Sequence, residues 1–339
     1  GRSSLGRALL GRALLRRVRL RRELQRRRRR VGLPRLLRLL GRGRLRDAHC
    51  LGRCLFLLGV DRAGARARRL AADVEQGGTL IDEAQAVLDR GARRCERAAV
   101  REAVGMFDLS SFGKLVIQGS DAESQLQHIC AANMAVPVGK VVYTQLLNPR
   151  GGIEADLTIT RLAEDKYFVI TSAASQARDF NWIRRQMHDD VRVTTEDVTS
   201  GYGVLSVMGP NSRQLLGCLS DTDFSNDFFP FGTCQEIEIG YAKAFALRIT
   251  YVGELGWELY LPTEFTGPVF DLLMTEGKKF GLRLAGYHAL DSLRSEKGYR
   301  HWGHDISPEE NQYQAGLQFA ISYKKNVDFI GCLLYTSPS

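Results

Sequence analysis

The feature that most constrains the fold is a break in the text at residue 100. Residues 1–100 contain 27 Arg, no Lys and nine acids, whereas the remainder contains 21 basic and 29 acidic side chains. All three Trp, all eleven Tyr and fourteen of fifteen Phe lie after residue 100. Aromatic side chains supply much of the area from which cores are built, so a packed domain is expected only in the later part. The formal charge of +10, read as one number, points to nucleic acid or a membrane surface. Split at residue 100, it is the sum of a strongly basic leader and a net acidic remainder.

Residues 1–46 set Leu and Arg in short blocks such as Leu14-Leu15-Arg16-Arg17, densest from Arg26 to Arg30. Three readings of this segment stay open. The lack of Lys and of any steady apolar period suits GC-rich DNA translated out of frame. An Arg-rich, acid-poor stretch also suits a mitochondrial presequence. A basic nucleic-acid arm would neutralise phosphates, but Phe56 is the only aromatic that could stack on a base, so nucleic acid is disfavoured as a partner. Residues 1–97 are therefore expected to be low-complexity and disordered or out of frame, 98–331 to form the domain, and 332–339 to be an appended tail. Leu51 to Val60 is apolar but about half the length that spans a bilayer, so no membrane segment is predicted.

After residue 100 the pattern is that of an α+β domain. Lys114–Gln118 reads as a strand, followed by Gly119 and a helix to about Cys130 with Ser120 and Glu123 spaced as a capping box. Val204–Met208, Gly209 and a helix to about Leu219 repeat that unit, a weak internal repeat. Val141–Leu147 and Ile153–Thr160 form a hairpin around Asn148-Pro149-Arg150-Gly151-Gly152. On its second strand Ile153, Ala155, Leu157 and Ile159 share one face, and Glu154, Asp156, Thr158 and Thr160 the other. Lys166–Thr171 is a strand and Ser175–His188 an amphipathic helix. A second hairpin joins Ala244–Tyr251 to Gly256–Leu261, and Phe265–Phe280 and Tyr287–Glu296 are helices. Seven scattered Cys with no CxxC pair point to reduced, intracellular thiols.

Three places carry residues suited to chemistry. Asp156 lies mid-strand among apolar neighbours, where a carboxylate costs solvation unless it faces a polar cavity or a cation. It is either part of a solvated sheet face or a group that steadies positive charge on a substrate amine. Glu258 follows Trp257 and precedes Tyr260. It suits either a cross-strand pair with Arg248 or the amidine-like edge of a planar heterocycle. The segment His288–Asp305 gathers Asp291, Arg294, Glu296, Arg300, His301, His304 and Asp305, but its spacing has no thiol or HExxH pattern, and no metal is assigned. No P-loop, GxSxG or strand-borne GxGxxG is present, which leaves phosphoryl transfer, serine hydrolysis and dinucleotide binding without support.

Four stretches together resemble the folate-binding aminomethyltransferases of the glycine-cleavage T-protein family. They are Phe107-Asp108-Leu109-Ser110-Ser111-Phe112-Gly113-Lys114, then Tyr143-Thr144 with Asn148, Gly151-Gly152-Ile153 and Asp156-Leu157. The others are Gly253-Glu254-Leu255-Gly256-Trp257-Glu258, and Asp291-Ser292-Leu293-Arg294 with Gly298 and Trp302-Gly303-His304-Asp305. The resemblance spans about 98–331. It is nearer to the C-terminal half of the sarcosine dehydrogenases, with dimethylglycine dehydrogenases next. Where T-proteins carry two adjacent aspartates, this chain has Glu154-Ala155-Asp156 and keeps only the second. Ser172 stands where they tend to have Asn.

The resemblance implies an aminomethyltransferase fold with ferredoxin-like repeated strand–helix units and tetrahydrofolate as cofactor. It implies Asp156 as the catalytic carboxylate by the folate N10. Tyr143 and Arg294 would be folate-contacting residues, and Glu258 the carboxylate on the pterin edge. The implied reaction captures the iminium carbon of an N-methyl amino acid as 5,10-methylene-tetrahydrofolate in the mitochondrial matrix. FAD and electron-transfer flavoprotein would serve only the flavin half of the full-length enzyme, which the text before residue 98 does not resemble; the C-terminal barrel is likewise not seen after Gly331. The isolated chain is expected not to oxidise sarcosine. A standalone aminomethyltransferase, and a non-catalytic folate-binding relative, are the alternatives.

Overall fold

Strict alternation of apolar and polar residues in Ile153–Thr160 and continuous apolar runs such as Tyr202–Met208 set two kinds of strand, half-buried and fully buried. The computed structural model describes residue 91 and residues 94–332. The readings made for residues 1–90 and 333–339 lie outside the described residues. Helical residues 94–102 (α1) lead into β1 (Val104–Asp108), β2 (Gly113–Gln118), α2 (Ala122–Ile129), β3 (Val141–Leu147), β4 (Ile153–Ala163) and β5 (Lys166–Thr171). Next come α3 (Gln176–Gln186), β6 (Thr194–Asp197), β7 (Tyr202–Met208), α4 (Ser212–Gly217), β8 (Cys234–Ile239) and β9 (Ala242–Leu247). The order ends with β10 (Gly256–Pro262), α5 (Thr263–Glu276), β11 (Leu282–Leu284), α6 (Tyr287–Glu296) and α7 (Gln312–Ala315).

The strands form a six-stranded sheet, β11-β1-β7-β10-β9-β8, and a five-stranded sheet, β3-β4-β5-β2-β6. Within the first, β1 runs parallel to β11 and antiparallel to β7. Each sheet has a face covered by helices. Val207, Trp257, Leu259 and Leu261 pack with Leu215 and Leu216 of α4 and Val269 and Leu273 of α5. Leu115, Ile117, Ala155, Leu157 and Val169 pack with Leu126 and Ile129 of α2 and Phe180 and Ile183 of α3. A further cluster draws on both sheets, joining Val141, Phe168 and Ile170 to Phe107, Val204, Leu247 and Tyr260, with Ala289, Leu290 and Leu293 of α6. The sheets therefore share a core.

The repeated strand–Gly–helix unit is present once in each sheet. Its glycine is required by geometry: Gly119 has φ +145° and Gly209 φ +135°. A Cβ at either would meet a backbone carbonyl, that of Arg192 at 2.0 Å or of Ala103 at 2.4 Å. The capping box expected from Ser120 and Glu123 does not form. Helix α2 begins after Asp121, which makes no side-chain cap; its carboxylate instead accepts the Arg192 N–H at 2.9 Å. A capping box is found at Asn311 and Gln314, at the start of α7. The strand expected over Ala244–Tyr251 ends at Leu247. There Thr250 Oγ1 accepts from the N–H groups of Val252, Gly253 and Glu254, which turns the chain out of the sheet. Phe265–Phe280 is α5 followed by a single 3₁₀ turn, Gly277–Phe280.

The segment after α6 wraps back onto the β3–β4 hairpin. Ile153 N–H donates to the Glu310 carbonyl at 3.0 Å, and Trp302 Nε1 to the Ile153 carbonyl at 2.9 Å. Gly152 permits this contact, since a Cβ there would lie 1.9 Å from the Pro308 oxygen. Leu147, Ile153, Ile306, Ala315, Leu317, Phe329 and Cys332 close a small core beneath it. No helix among the described residues is long and apolar enough to cross a membrane.

Candidate functional site

Register determines what surrounds Asp156. Strands β3 and β4 pair with Gln145 opposite Asp156 and Tyr143 opposite Thr158, so Tyr143 is the diagonal neighbour of Asp156 on the same face, within reach of a long side chain. Gln145 Nε2 donates to Asp156 Oδ1 at 2.8 Å. Burial pushes the Asp156 carboxyl up to about 6, while hydrogen bonds from Tyr143 and Gln145 act the other way and Asp179 adds a small upward push. The same burial, with the Asp156 charge beside it, drives the Tyr143 phenol far above its usual value. The Tyr143 ring stacks against Phe319, centroids 6.0 Å apart, and Phe319 is 73% exposed. Asp156 thus sits at the foot of an aromatic wall that opens to solvent.

Glu258 belongs to the other sheet, opposite Ser206 of β7 and Leu247 of β9. It is 8% exposed. Tyr260 Oη donates to its Oε2 at 2.8 Å, and no other described residue bonds its side chain. Burial lifts the carboxyl to about 7 against the pull of that bond. Phe168 packs edge-on to both Tyr260 and Tyr202, at 5.5 Å each, so Glu258 projects into an aromatic surround. The cross-strand pair with Arg248 does not form. Arg248 bonds the Phe229 carbonyl and Asn226 Oδ1 and lies over the Trp257 ring, on the opposite face of the sheet from Glu258.

Arg294 of α6 is 4% exposed and heavily engaged. Its Nε and Nη2 donate to Asp291 Oδ1 at 2.8 and 2.6 Å, and its Nη1 to the Tyr299 carbonyl at 3.1 Å and to Asp305. It borders a cleft of ≈ 470 Å³ that is also lined by Tyr299, Arg300, Asp305 and Glu310. Tyr251 links this cleft to the Asp156 corner: its Oη donates to the Arg300 carbonyl at 2.7 Å, and its titration feels Arg294, Asp156 and Asp305. Tyr143 and Asp156 are therefore brought into contact, Arg294 stands one residue removed, and Glu258 is held apart on the six-stranded sheet. His301 and His304 stack at 5.9 Å. Among the described residues no group of three His, Cys, Asp or Glu could hold a metal ion.

Sequence reasoning missed Gln145, Tyr251 and Gln312. Gln145 had a signal, since it alternates with Tyr143 along β3 and must share its face. Tyr251 was assigned to a strand that ends before it. Gln312, fully buried, lies in a polar stretch without period, and nothing local marks it.

Comparison with known proteins places this geometry in a family. The GCVT N-terminal domain matches residues 86–325. A 4-methylaminobutanoate oxidase (formaldehyde-forming) of Paenarthrobacter nicotinovorans is 43% identical over 236 residues, covering 70% of this chain and 28% of its own length. A mitochondrial sarcosine dehydrogenase of Mus musculus is 38% identical over 250 residues, covering 70% and 27%. An aminomethyltransferase of Listeria monocytogenes is 34% identical, covering 70% and 64%. The crystal structure of glycine cleavage system aminomethyltransferase T from Bartonella henselae superposes with a TM-score of 0.63 at 25% identity, covering 72% of this chain and 66% of that one. The matched part spans little more than a quarter of the two dehydrogenase- and oxidase-named relatives. With a family match over most of its length and the aminomethyltransferase fold in its two sheets, the chain belongs to the GCVT N-terminal domain family.

Proposed function

We propose that this domain binds tetrahydrofolate between Asp156 and Glu258 and serves a folate-dependent one-carbon transfer of the sarcosine dehydrogenase type. The observation that carries the reading is the pair of desolvated carboxylates, half-buried Asp156 and buried Glu258, each raised toward neutrality and each with acceptor capacity left over. The donor set fits the cofactor. Glu258 has one oxygen held by Tyr260 and the other available for the N–H edge of a planar heterocycle, a charge-assisted contact. The Phe168–Tyr260–Tyr202 surround supplies apolar walls of the kind that bind flat ligands.

Bound tetrahydrofolate would supply the amine nucleophile that takes up the one-carbon unit, and the product would be 5,10-methylene-tetrahydrofolate. The chain's part is proton and position. The Asp156 carboxylate is fixed by the Gln145 amide at Oδ1 and by Tyr143, and its remaining lone pairs would receive an amine. A carboxylate titrating near 6 is ionised at neutral pH yet basic enough to take a proton as a neighbouring nitrogen becomes positive. Tyr143 and Phe319 would shield that event on one side, and Arg294 would border the cleft by which the ligand enters.

Oxidation of an N-methyl amino acid at FAD, and electron transfer to a flavoprotein partner, belong on this reading to the longer relatives' remaining length. A mitochondrial matrix location rests on the names of the mitochondrial sarcosine and dimethylglycine dehydrogenases among the relatives. The relative named as formaldehyde-forming supports a second reading, in which the one-carbon unit leaves as formaldehyde instead of being captured. Calorimetric titration of the purified chain with tetrahydrofolate separates them. Saturable binding, lost in the Asp156→Ala/Glu258→Ala variant, is expected; absence of binding, or undiminished binding by that variant, overturns the folate site.

A further inference from the structure

Asp156 is not held by its own sheet alone. Gln145, its direct cross-strand partner, is fully buried, and so is Gln312 on α7. Gln312 Nε2 donates to Gln145 Oε1, and Gln145 Nε2 donates to Asp156 Oδ1 at 2.8 Å. A primary amide can present either its oxygen or its nitrogen after a half-turn about its last torsion, and the two ends have opposite hydrogen-bonding character. Which end Gln145 turns to Asp156 is therefore set by what meets its other end. A donor at Oε1 leaves only N–H for the carboxylate.

We propose that Gln312 is a positioning residue for Asp156, acting through Gln145 to keep an N–H and not a carbonyl against the carboxylate. The proposal rests on the reading of Asp156 as the working carboxylate, but the contact itself does not. It explains why α7, a single helical turn of four residues, is tied down so firmly. Asn311 and Gln314 cap it reciprocally, Gly152 bridges to Asn311, and the Glu310 carbonyl receives the Ile153 N–H. The first contact orders α7 itself, and the other two fix it against the end of the hairpin that carries Gln145 and Asp156. The titratable groups bearing on Asp156 from its surroundings are Tyr143 on β3, Asp179 on α3 and Tyr251 in the turn before β10. Asp179 is paired with Arg178 at 2.7 Å. None of these replaces the amide: Tyr143 already donates its own bond to the carboxylate, Tyr251 gives its hydroxyl to the Arg300 carbonyl, and Asp179, paired with Arg178, has no proton to donate.

The consequence is a relay with a readable direction. Hydrogen bonds to the charged form of an acid favour it, so the Gln145 N–H keeps Asp156 ionised further into the acid range than burial alone would. Replacing Gln312 by an acceptor should reverse the chain: in Gln312→Glu the new carboxylate draws the Gln145 N–H toward itself and turns Oε1 onto Asp156. The Asp156 midpoint should then move up by about one pH unit or more. Gln312→Leu, which removes the donor without imposing an acceptor, should move it up by about half as much.

The test needs no folate, so its failure is distinct from failure of the folate site. In the wild-type chain, labelled side-chain amides of both Gln145 and Gln312 are followed by NMR against pH, together with the Asp156 carboxyl carbon. All three should move with one midpoint, and the variants should shift that midpoint in the stated order. Asp156→Asn should abolish the pH response of both amides. A Gln312 amide that does not respond to Asp156 in the wild type overturns the proposal even if no variant folds. So does a folded Gln312→Glu chain with an unshifted midpoint. The catalytic readout follows: Gln312→Glu should displace the pH profile of one-carbon transfer at saturating tetrahydrofolate, whereas a merely structural role would lower the rate equally at every pH.

Discussion

Asp156 and Glu258 are lifted toward neutrality by the same cause, loss of water, and are held in different ways. Asp156 on β4 is embedded in a network that draws on three further elements: Tyr143 and Gln145 on β3, Gln312 on α7 and Asp179 on α3. Glu258 has one partner, Tyr260, two residues along its own strand. A carboxylate supported from several sides is fixed in direction and tuned in basicity. One supported from a single side retains an oxygen for a ligand. On the proposed folate reading the contrast gives proton work to the five-stranded sheet and recognition to the six-stranded one, and it can be broken by treating the two alike.

The largest difference is expected in ligand binding. Glu258→Ala should weaken tetrahydrofolate binding about 100-fold, the scale of a charge-assisted contact worth about 2–3 kcal/mol. Asp156→Asn should weaken it less than about tenfold on the same scale while eliminating transfer. Calorimetry and a product assay on the same preparations give both numbers. Equal losses of affinity at the two positions would remove the division of labour.

Next in size is the cost of keeping the two charges. Folded Asp156 titrates near 6 against a reference of 3.8, and folded Glu258 near 7 against 4.5. Between those limits the folded chain binds a proton that the unfolded chain has lost, so stability falls as pH rises through about 4–6 for Asp156 and 4.5–7 for Glu258. Above the upper limits each charge costs on the order of 3 kcal/mol. Asp156→Asn and Glu258→Gln should therefore raise the midpoint of urea unfolding at pH 8, and the gain should disappear near pH 4. As pH falls, the Glu258→Gln gain should begin to shrink at about 7 and the Asp156→Asn gain at about 6. A pH-independent effect would mean that the carboxylates are not the source of the cost.

A smaller effect tests the clamp on the first site. Gly152→Ala would place a Cβ 1.9 Å from the Pro308 oxygen and should cost about 1–3 kcal/mol, the usual range for overpacking. Since the wrapped segment bears Gln312, the same variant should loosen the Asp156 corner and leave Glu258 untouched. Hydrogen exchange of Ile153, whose N–H reaches the Glu310 carbonyl, should speed up, while exchange along β10 should not change.

How much of this was legible beforehand follows from the range of each interaction. The β3–β4 hairpin was readable because period-two alternation and the Asn-Pro-Arg-Gly-Gly loop are local signals, and its register follows once the loop is fixed. The pairing at Asp156 was less legible, since the register shifts between Leu146 and Leu147, and Tyr143 reaches Asp156 only diagonally from opposite Thr158. The capping box at Ser120 had the right letters but lost to a tertiary bond between Asp121 and Arg192. The strand running to Tyr251 was cut short by a Thr250 turn whose three N–H contacts depend on a conformation, not on a pattern. Strand β8 carries the same period-two signal, with Ile237 and Ile239 buried and Glu236 and Glu238 exposed, and was as legible as β4. Gln312 could not be seen at all, since it meets Gln145 across 167 positions of sequence.

The smallest expected effect concerns the single bond on which Glu258 depends. Tyr260 is 1% exposed, and its hydroxyl lowers the Glu258 midpoint against the push of burial. Tyr260→Phe removes that donor with little change in volume, so the packing against Phe168 should survive. With the donor gone, nothing among the described residues offsets desolvation of the charge, and the Glu258 midpoint should rise above 7. The stability loss should be about 1 kcal/mol where Glu258 is ionised and smaller where it is protonated, since a hydrogen bond to a charged group is worth more than one between neutral groups. Unfolding of the wild-type chain and the variant at pH 5.5 and pH 8.5 measures the difference. A loss that is equal at both pH values would show that Tyr260 serves packing alone, and Glu258 would then need a second support like that of Asp156.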